Sequence, residues 1–468
     1  MRRRPCGNGC GEDNAPASPG LPAIGRRSDG YPARVHPSLR TAGPVSAIAL
    51  ALVACGGPDA ERPDAARRPN VVLVVVDTLR RDHLSAYDYE RDTSPALRAL
   101  AEESVRYDAA VAQAPWTTPS IASLLTSRYP RALGIRGEKT ALSDGEVMLA
   151  EALQGAGYDT AAVISHSFLG SGWNFDQGFE VFDEENVQGH AAVTSQGVTD
   201  EALRQIERLA AADDPYFLFV HYFDPHAAYV EHDPFPFGGR DGYDGRIRSG
   251  MLFRELRQIE DEVDASDTDE LRRLYDSEIA FTDSHLARLF DALRGTGAWD
   301  DTIVVVTADH GEEFLDHGQL GHAKSLYEEL VGVPLIVKPH ASAAVAPGVV
   351  TETVALLDVM PTVLALTNVP AVRGLEGEPL FPAPPEGRSL FTETARANNW
   401  AATYDGRWKL VARGRNNASL FDLESDPGEQ NDVAAEHPDV VERLVATVQT
   451  WRAEQKEKAR SGAAVELD

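Results

Sequence analysis

Five stretches of this chain are unbroken runs of β-branched and other apolar residues. They are NVVLVVVDT at 70–78, TAAVIS at 160–165, YFLFVHYF at 216–223, TIVVVTAD at 302–309 and VPLIVK at 333–338. A strand with one wet face alternates apolar and polar residues. An unbroken run reads instead as a strand buried on both faces, as in a parallel sheet covered by helices. Between the runs the pattern turns helical. SPALRALAEES at 94–104 has Ser94 as cap and Pro95 in its first turn, and further helices are expected over 118–127, 145–155, 197–211, 267–294 and 357–367. Strands alternating with helices predict an α/β fold, a mostly parallel sheet flanked by helices.

The character changes after about residue 385. SLFTETA at 389–395, WAATYD at 400–405, RWKLVAR at 407–413 and SLFDL at 419–423 are short, with Asp405-Gly406 as a hairpin turn between two of them. An amphipathic helix over 437–457 follows, so a small antiparallel sheet plus one helix is expected. Four prolines within 378–388 mark the boundary between a main domain at 70–385 and a C-terminal subdomain at 386–468.

Residues 43–54 form a short apolar run with Arg40 upstream and Cys55 at its end. Spanning a bilayer takes about 20 residues, so the run reads as the apolar part of an export signal. Leu52-Val53-Ala54-Cys55 resembles the bacterial lipobox, in which the cysteine is lipidated. The expectation is an export signal at 1–55, a flexible tether at 56–69, and a periplasmic or outer-membrane lipoprotein held by a lipid anchor on Cys55. Residues 1–40 are long and rich in Pro, Gly and Arg for such a signal, which a start codon set too early explains. The other cysteines are Cys6 and Cys10, so the body can hold no disulfide and no cysteine metal site. A net charge of −29 argues against binding a nucleic-acid backbone.

Two of the apolar strands end in acids, one in Asp77 and one in Asp309-His310-Gly311-Glu312. Ligands of open α/β sheets sit beyond the carboxyl ends of the strands. Carboxylate oxygen with imidazole nitrogen suits one divalent ion, zinc or manganese before calcium. In Ala114-Pro115-Trp116-Thr117-Thr118-Pro119-Ser120, Thr118 fits a helix cap and Pro119 the first helical position. Thr117 then lies just ahead of a helix N-terminus, where free N–H groups favour an anion. A metal-bound hydroxyl there would be a nucleophile at neutral pH.

NVVLVVVDTLRRDHL, PWTTPSIASLLTSRYP, FDPHAAY, TADHGEEFLDHGQLGHAKSLYEELVGVPLIV, LLDVMPTVLAL and LFDLESDPGEQND follow one another in the order of the sulfatase family, within the alkaline phosphatase superfamily, which this chain resembles over more than 350 residues. The resemblance implies metal ligation by Asp77, Asp309, His310 and Thr117, with Thr117 as nucleophile. It implies a substrate or proton-transfer role for His226, contact with the anionic group by His322 or Lys324, and support of the Asp77 region by Arg80.

The chain also departs from the family pattern. Thr117 stands where most sulfatases carry the cysteine that becomes formylglycine, and Ile121 where they carry arginine. Thr78 replaces a second acid and His310 an asparagine. These changes resemble the phosphatase and phosphodiesterase branches. A sulfo-threonine lacks the hemiacetal route of breakdown, which favours phosphorus. The expected activity is a metal-dependent hydrolase of sulfate or phosphate esters on a small molecule, glycan or lipid. The alternatives are a phosphotransferase at the cell envelope and a glycan-binding pseudoenzyme. His221 reads as structural, Asp224 as a candidate for a second metal, His317 as a loop residue and 255–270 as a solvated face. The loops 166–195 and 227–265 would read the organic part of the substrate.

Overall fold

The computed structural model describes residues 68–461 except 136, 138, 139, 190, 191, 238–241, 384–386, 395–398, 415 and 416. The export signal with Cys55 and nearly all of the tether therefore lie outside the described residues. Residues 64–468 cluster as one compact unit, and the C-terminal sheet belongs to it. Among the described residues no helix is long and apolar enough to cross a membrane.

The strands of the main sheet are β1 (Asn70–Val76), β2 (Val105–Val111), β3 (Asp159–Val163), β4 (Val181–Asp183), β5 (Tyr216–Tyr222) and β6 (Thr302–Ala308). After a two-stranded hairpin, β7 (Glu313–Phe314) with β8 (Leu320–Gly321), come β9 (Gly332–Lys338), β10 (Gly348–Val350) and β11 (Val354–Ala355). The order is β10-β2-β9-β6-β1-β5-β3-β4, with β11 also on β2. All five expected strands are present, and β1, β5, β6 and β9 are buried at every position.

The sheet is mixed. β9 runs antiparallel to both β6 and β2, while every other pairing is parallel. Burial on both faces gives a central strand the same apolar run in either direction, so its sequence does not reveal the reversal. β2 carries an irregularity between Tyr107 and Ala110, opposite Pro334, whose ring nitrogen has no hydrogen to give the ladder. β2 itself, VRYDAAV, was not expected; its mixed burial hides it.

The helices are α1 (Pro95–Glu102), α2 (Thr117–Thr126), α3 (Pro130–Leu133), α4 (Leu149–Gly155), α5 (Ser195–Ala210), α6 (Phe253–Ile259), α7 (Ala265–Gly295), α8 (Glu328–Val331), α9 (Val359–Leu366) and α10 (Pro438–Ser461). The expected solvated face at 255–270 is corrected in part. Asp267 and Glu270, in the first turns of α7, are buried, Asp267 under the Tyr243 hydroxyl and Glu270 against Arg273. The antiparallel sheet of β12 (Leu390–Glu393), β13 (Ala401–Asp405), β14 (Trp408–Ala412) and β15 (Ala418–Asp422) packs with α10 around a second apolar core. Leu326, Leu330 and Val331, which follow the β7–β8 hairpin, belong to that core too. Beneath it Lys409, with no exposed surface, holds Glu328 at 2.9 Å and Glu429 at 3.0 Å.

Candidate active site

β1 and β6 are neighbours in parallel register, Val76 beside Ala308, so the residues that follow them emerge side by side. Those residues are Asp77 and the Asp309-His310 pair. The Asp77 N–H still donates to Tyr222 O at 2.9 Å, and the chain then turns sharply, Thr78 lying at φ 56. Asp309 Oδ1 accepts from Thr78 N at 3.2 Å and from His310 N at 2.9 Å, which aims Oδ2 at His310 Nε2, 3.4 Å away. Asp77 Oδ1 is 3.7 Å from the same nitrogen. His310 Nδ1–H donates to Gly311 O at 2.9 Å, leaving Nε2 unprotonated and facing the acids.

These three side chains form a group able to hold a metal ion, and each is fully buried. Among the described residues, both carboxylate oxygens of Asp77, and Oδ2 of Asp309, lack any hydrogen-bond partner. Burial, then the charges of Asp309 and Glu312, push the Asp77 carboxyl well above its usual range. Burial pushes Asp309 up to about 7 against its backbone hydrogen bonds. Burial and the His322 charge hold His310 neutral. Orphaned buried oxygens beside a neutral imidazole are the donor set a divalent cation fits.

The expected cap at Thr118 is corrected. Trp116, extended at φ −165, is the N-cap, and the helix begins at Thr117 itself. A tryptophan offers no capping oxygen, so the first turn keeps its free N–H groups. Ser120 Oγ donates to Asp309 O at 2.6 Å and pins α2 against the end of β6. The Thr117 hydroxyl consequently lies 3.5 Å from His310 Nε2.

A cavity opens over Thr117, and His166, His226 and His322 line it with Thr117. His226 stacks on Phe223, and its Nδ1–H donates to Ala227 O at 3.0 Å, so neutral His226 presents Nε2 as an acceptor. His322 Nδ1 meets Glu312 Oε1 at 2.8 Å, and the other oxygen of Glu312 accepts from the Tyr229 hydroxyl at 2.9 Å. Burial alone would lower the His322 pKa, but the Glu312 charge and hydrogen bond outweigh it and raise it. Lys324 is not among the lining residues, and its pKa is lowered by burial and by Arg257.

Arg80 braces the site from behind, with Asp82 at 2.7 Å, Asp316 at 2.9 Å and Glu312 O at 3.0 Å. Asp224 does not join a second metal group among the described residues. It caps α5 by accepting from Ser195 N at 2.7 Å and Thr194 N at 3.0 Å. His317 stacks on Tyr327 and bonds Glu329 at 2.7 Å, away from the cavity.

Sequence reasoning passed over three neighbours of this site. Phe168 N donates to His166 Nδ1 at 3.0 Å, so neutral His166 carries its proton on Nε2, 3.8 Å from Asp77 Oδ2. His221, read as structural, lies on β5 with Nε2 also 3.8 Å from Asp77 Oδ2. Burial drops its pKa to about 3, and neither ring nitrogen has a hydrogen-bond partner among the described residues. Glu312 followed the metal motif in plain view; only its partners, from distant segments, reveal its role.

The family model "Sulfatase" matches residues 69–369. The choline-sulfatase of Rhizobium meliloti (strain 1021) is 24% identical over 431 residues, covering 78% of this chain and 82% of that protein. Among solved structures, a 2-O GAG sulfatase superposes with a TM-score of 0.69 at 18% identity, over 86% of this chain and 95% of that one. The phosphonate monoester hydrolase of Agrobacterium radiobacter superposes with a TM-score of 0.65 at 23% identity, over 83% and 96%.

Proposed function

The chain belongs to the sulfatase family, and on that premise we propose that it hydrolyses phosphate or sulfate esters, phosphate by preference, with Thr117 as nucleophile and one divalent metal ion as cofactor. The observation that carries this reading is the Thr117 hydroxyl, 3.5 Å from His310 Nε2, facing a cavity that His226 and His322 also line. Asp77, Asp309, His310 and Thr117 would hold the metal, zinc or manganese on the chemistry of that donor set. When bound, such an ion polarises the ester and lowers the pKa of the nucleophilic hydroxyl.

The residues divide the proton work as follows. Thr117 Oγ bonds to phosphorus as the bond from phosphorus to the ester oxygen breaks, and the hydroxyl proton passes to His226 Nε2. The departing oxygen takes its proton from His322 Nε2, which Glu312 keeps charged. In the second half a water oxygen bonds to phosphorus as the bond to Thr117 Oγ breaks. The water proton returns to His322, and Thr117 recovers its own from His226. His166 lines the same cavity with Nε2 3.8 Å from Asp77 Oδ2, and in this proposal its Nε2–H stabilises negative oxygen at that end.

In the same proposal the chain is exported and held at a membrane through a lipid on Cys55, a reading supported by residues 43–55 alone. Cys55→Ser in the full chain should release the protein from the membrane fraction.

The test of the activity is turnover of nitrophenyl phosphate, bis-phosphate and sulfate with zinc, manganese or calcium. Thr117→Ala should lower phosphoester turnover by at least about 10³-fold, and acid quenching of wild type should trap phosphothreonine 117. Turnover of the sulfate alone, surviving Thr117→Ala, would overturn the mechanism.

A further inference from the structure

The cavity over Thr117 has a volume of about 440 Å³, room for considerably more than a transferred phosphoryl or sulfuryl group. Beyond the histidines, Thr117 and Arg254, its wall is mostly carbon, supplied by Trp116, Phe168, Ala227, Leu252 and Phe253. Among the described residues no carboxylate, carboxamide or serine lines it. Phe168 and Phe253 come from the two segments expected to read the organic part of the substrate.

Phe253 is held firmly. Gly321, at φ +87, lies directly under its ring, and a Cβ there would come within 2.3 Å of Phe253 Cζ. On another side the Arg257 guanidinium lies 5.3 Å from the ring centroid. The ring is thus fixed beside His322, the residue after Gly321. A sugar ring against Phe168, Leu252 and Phe253 would turn hydroxyls towards carbon, with partners only at the histidine end and at the mouth.

The next residue, Arg254, lines the same cavity and is exposed, with no ion pair or hydrogen bond among the described residues. In a chain with 73 acidic and 44 basic residues, most arginines around the site have an acid, as Arg257 has Glu260 and Arg80 has Asp82. An arginine at the mouth of an apolar cavity is a ready partner for an anionic ligand group.

Resting on the reading of Thr117 as an ester-cleaving nucleophile, we infer that the substrate is the ester of an apolar, ring-bearing alcohol that carries a second anionic group, with the ring against Phe168 and Phe253 and the anion on Arg254. The transferred group lies at the histidines and the second charge at the cavity mouth.

The experiment compares kcat/KM of the metal-loaded full chain for methyl phosphate, benzyl phosphate, 4-carboxybenzyl phosphate and glucose 6-phosphate. All four leaving oxygens are primary alcohols, so differences report contacts rather than leaving-group basicity. Benzyl phosphate should exceed methyl phosphate about 100-fold, with glucose 6-phosphate no better than methyl. The 4-carboxyl group should add about tenfold more. Phe253→Ala should cut the benzyl advantage by about tenfold or more, and Arg254→Gln should bring the ratio of carboxybenzyl to benzyl to about one. Glucose 6-phosphate matching benzyl phosphate, or a carboxybenzyl ratio unmoved by Arg254→Gln, overturns the inference. Should no ester turn over, the reading of Thr117 fails, and the inference is decided by calorimetry. Binding of 4-carboxybenzylphosphonate about 100-fold tighter than methylphosphonate sustains it, and equal binding overturns it.

Discussion

Replacing Glu312 by glutamine removes one charge from the site and leaves its shape nearly intact. Glutamine keeps an oxygen for His322 Nδ1–H, and its amide can donate to the Tyr229 hydroxyl, which rotates to accept. What is lost is the attraction that holds His322 protonated. A hydrogen bond to a charged group contributes about 1.5–3 kcal/mol, so the protonated population at alkaline pH falls roughly 10- to 100-fold. General acid catalysis matters when the leaving oxygen is basic. At pH 8, kcat/KM for benzyl phosphate should therefore fall roughly 10- to 100-fold, whereas nitrophenyl phosphate, whose leaving group departs unaided, should fall less than about fivefold. Elemental analysis of bound metal and a melting curve belong beside the kinetics, because Glu312 lies two residues from His310. Equal losses for both esters with metal intact would refute the acid role of His322. No loss for either would refute any role for the pair.

Zinc or manganese at about 100 times its dissociation constant should stabilise the protein by about 2.7 kcal/mol, seen as a raised melting temperature that chelator reverses and Asp309→Asn abolishes. Burial pushes the Glu278 carboxyl up to about 7 despite the hydrogen bond from His232. The fold favours its protonated form, so its contribution is complete below about pH 4.5 and is lost as pH rises through about 7. Glu278→Gln should spare the protein roughly 3 kcal/mol of the stability wild type loses between pH 5 and 8, and urea midpoints running parallel in the two proteins would contradict this. Lys409→Met should cost about 3–5 kcal/mol in urea unfolding, because it leaves Glu429 buried without a cation and Glu328 with Arg81 alone. A cost below about 1 kcal/mol would mean that those acids take up protons without strain.

The parts of the fold that were legible are those where burial alone dictates composition. β1 and β6 are buried at every position and apolar but for Asn70, Thr302 and Thr307, so the residues at their ends, Asp77 and Asp309, stood out as acids at the edge of a core. Thr117 was legible because proline two residues on marks a helix start, though the cap fell on Trp116, which no propensity favours. The direction of β9 was hidden because burial has no polarity. Glu312, His166 and His221 gain meaning from partners far away in the chain, Tyr229 for the first and Asp77 for the other two, and no local period encodes those meetings. The apolar wall and the cation at its mouth were equally invisible, since Leu252, Phe253 and Arg254 lie in a stretch without rhythm and become a surface only when Phe253 meets Gly321.

The adjacency of β1 and β6 also sets a clock. Asp309 Oδ1 accepts from Thr78 N across a sequence separation of 231. A ribosome adding about 5–20 residues each second needs roughly 10–50 s between making one half of this contact and the other. During that interval Thr117 is the only other residue of the proposed ligand set to be made, and the nascent chain lacks the Asp309 and His310 donors that would choose between ions. Selection of the proposed metal would then fall to whichever compartment the completed chain folds in, and the ion supply there, as much as the ligands, would decide which metal form is made.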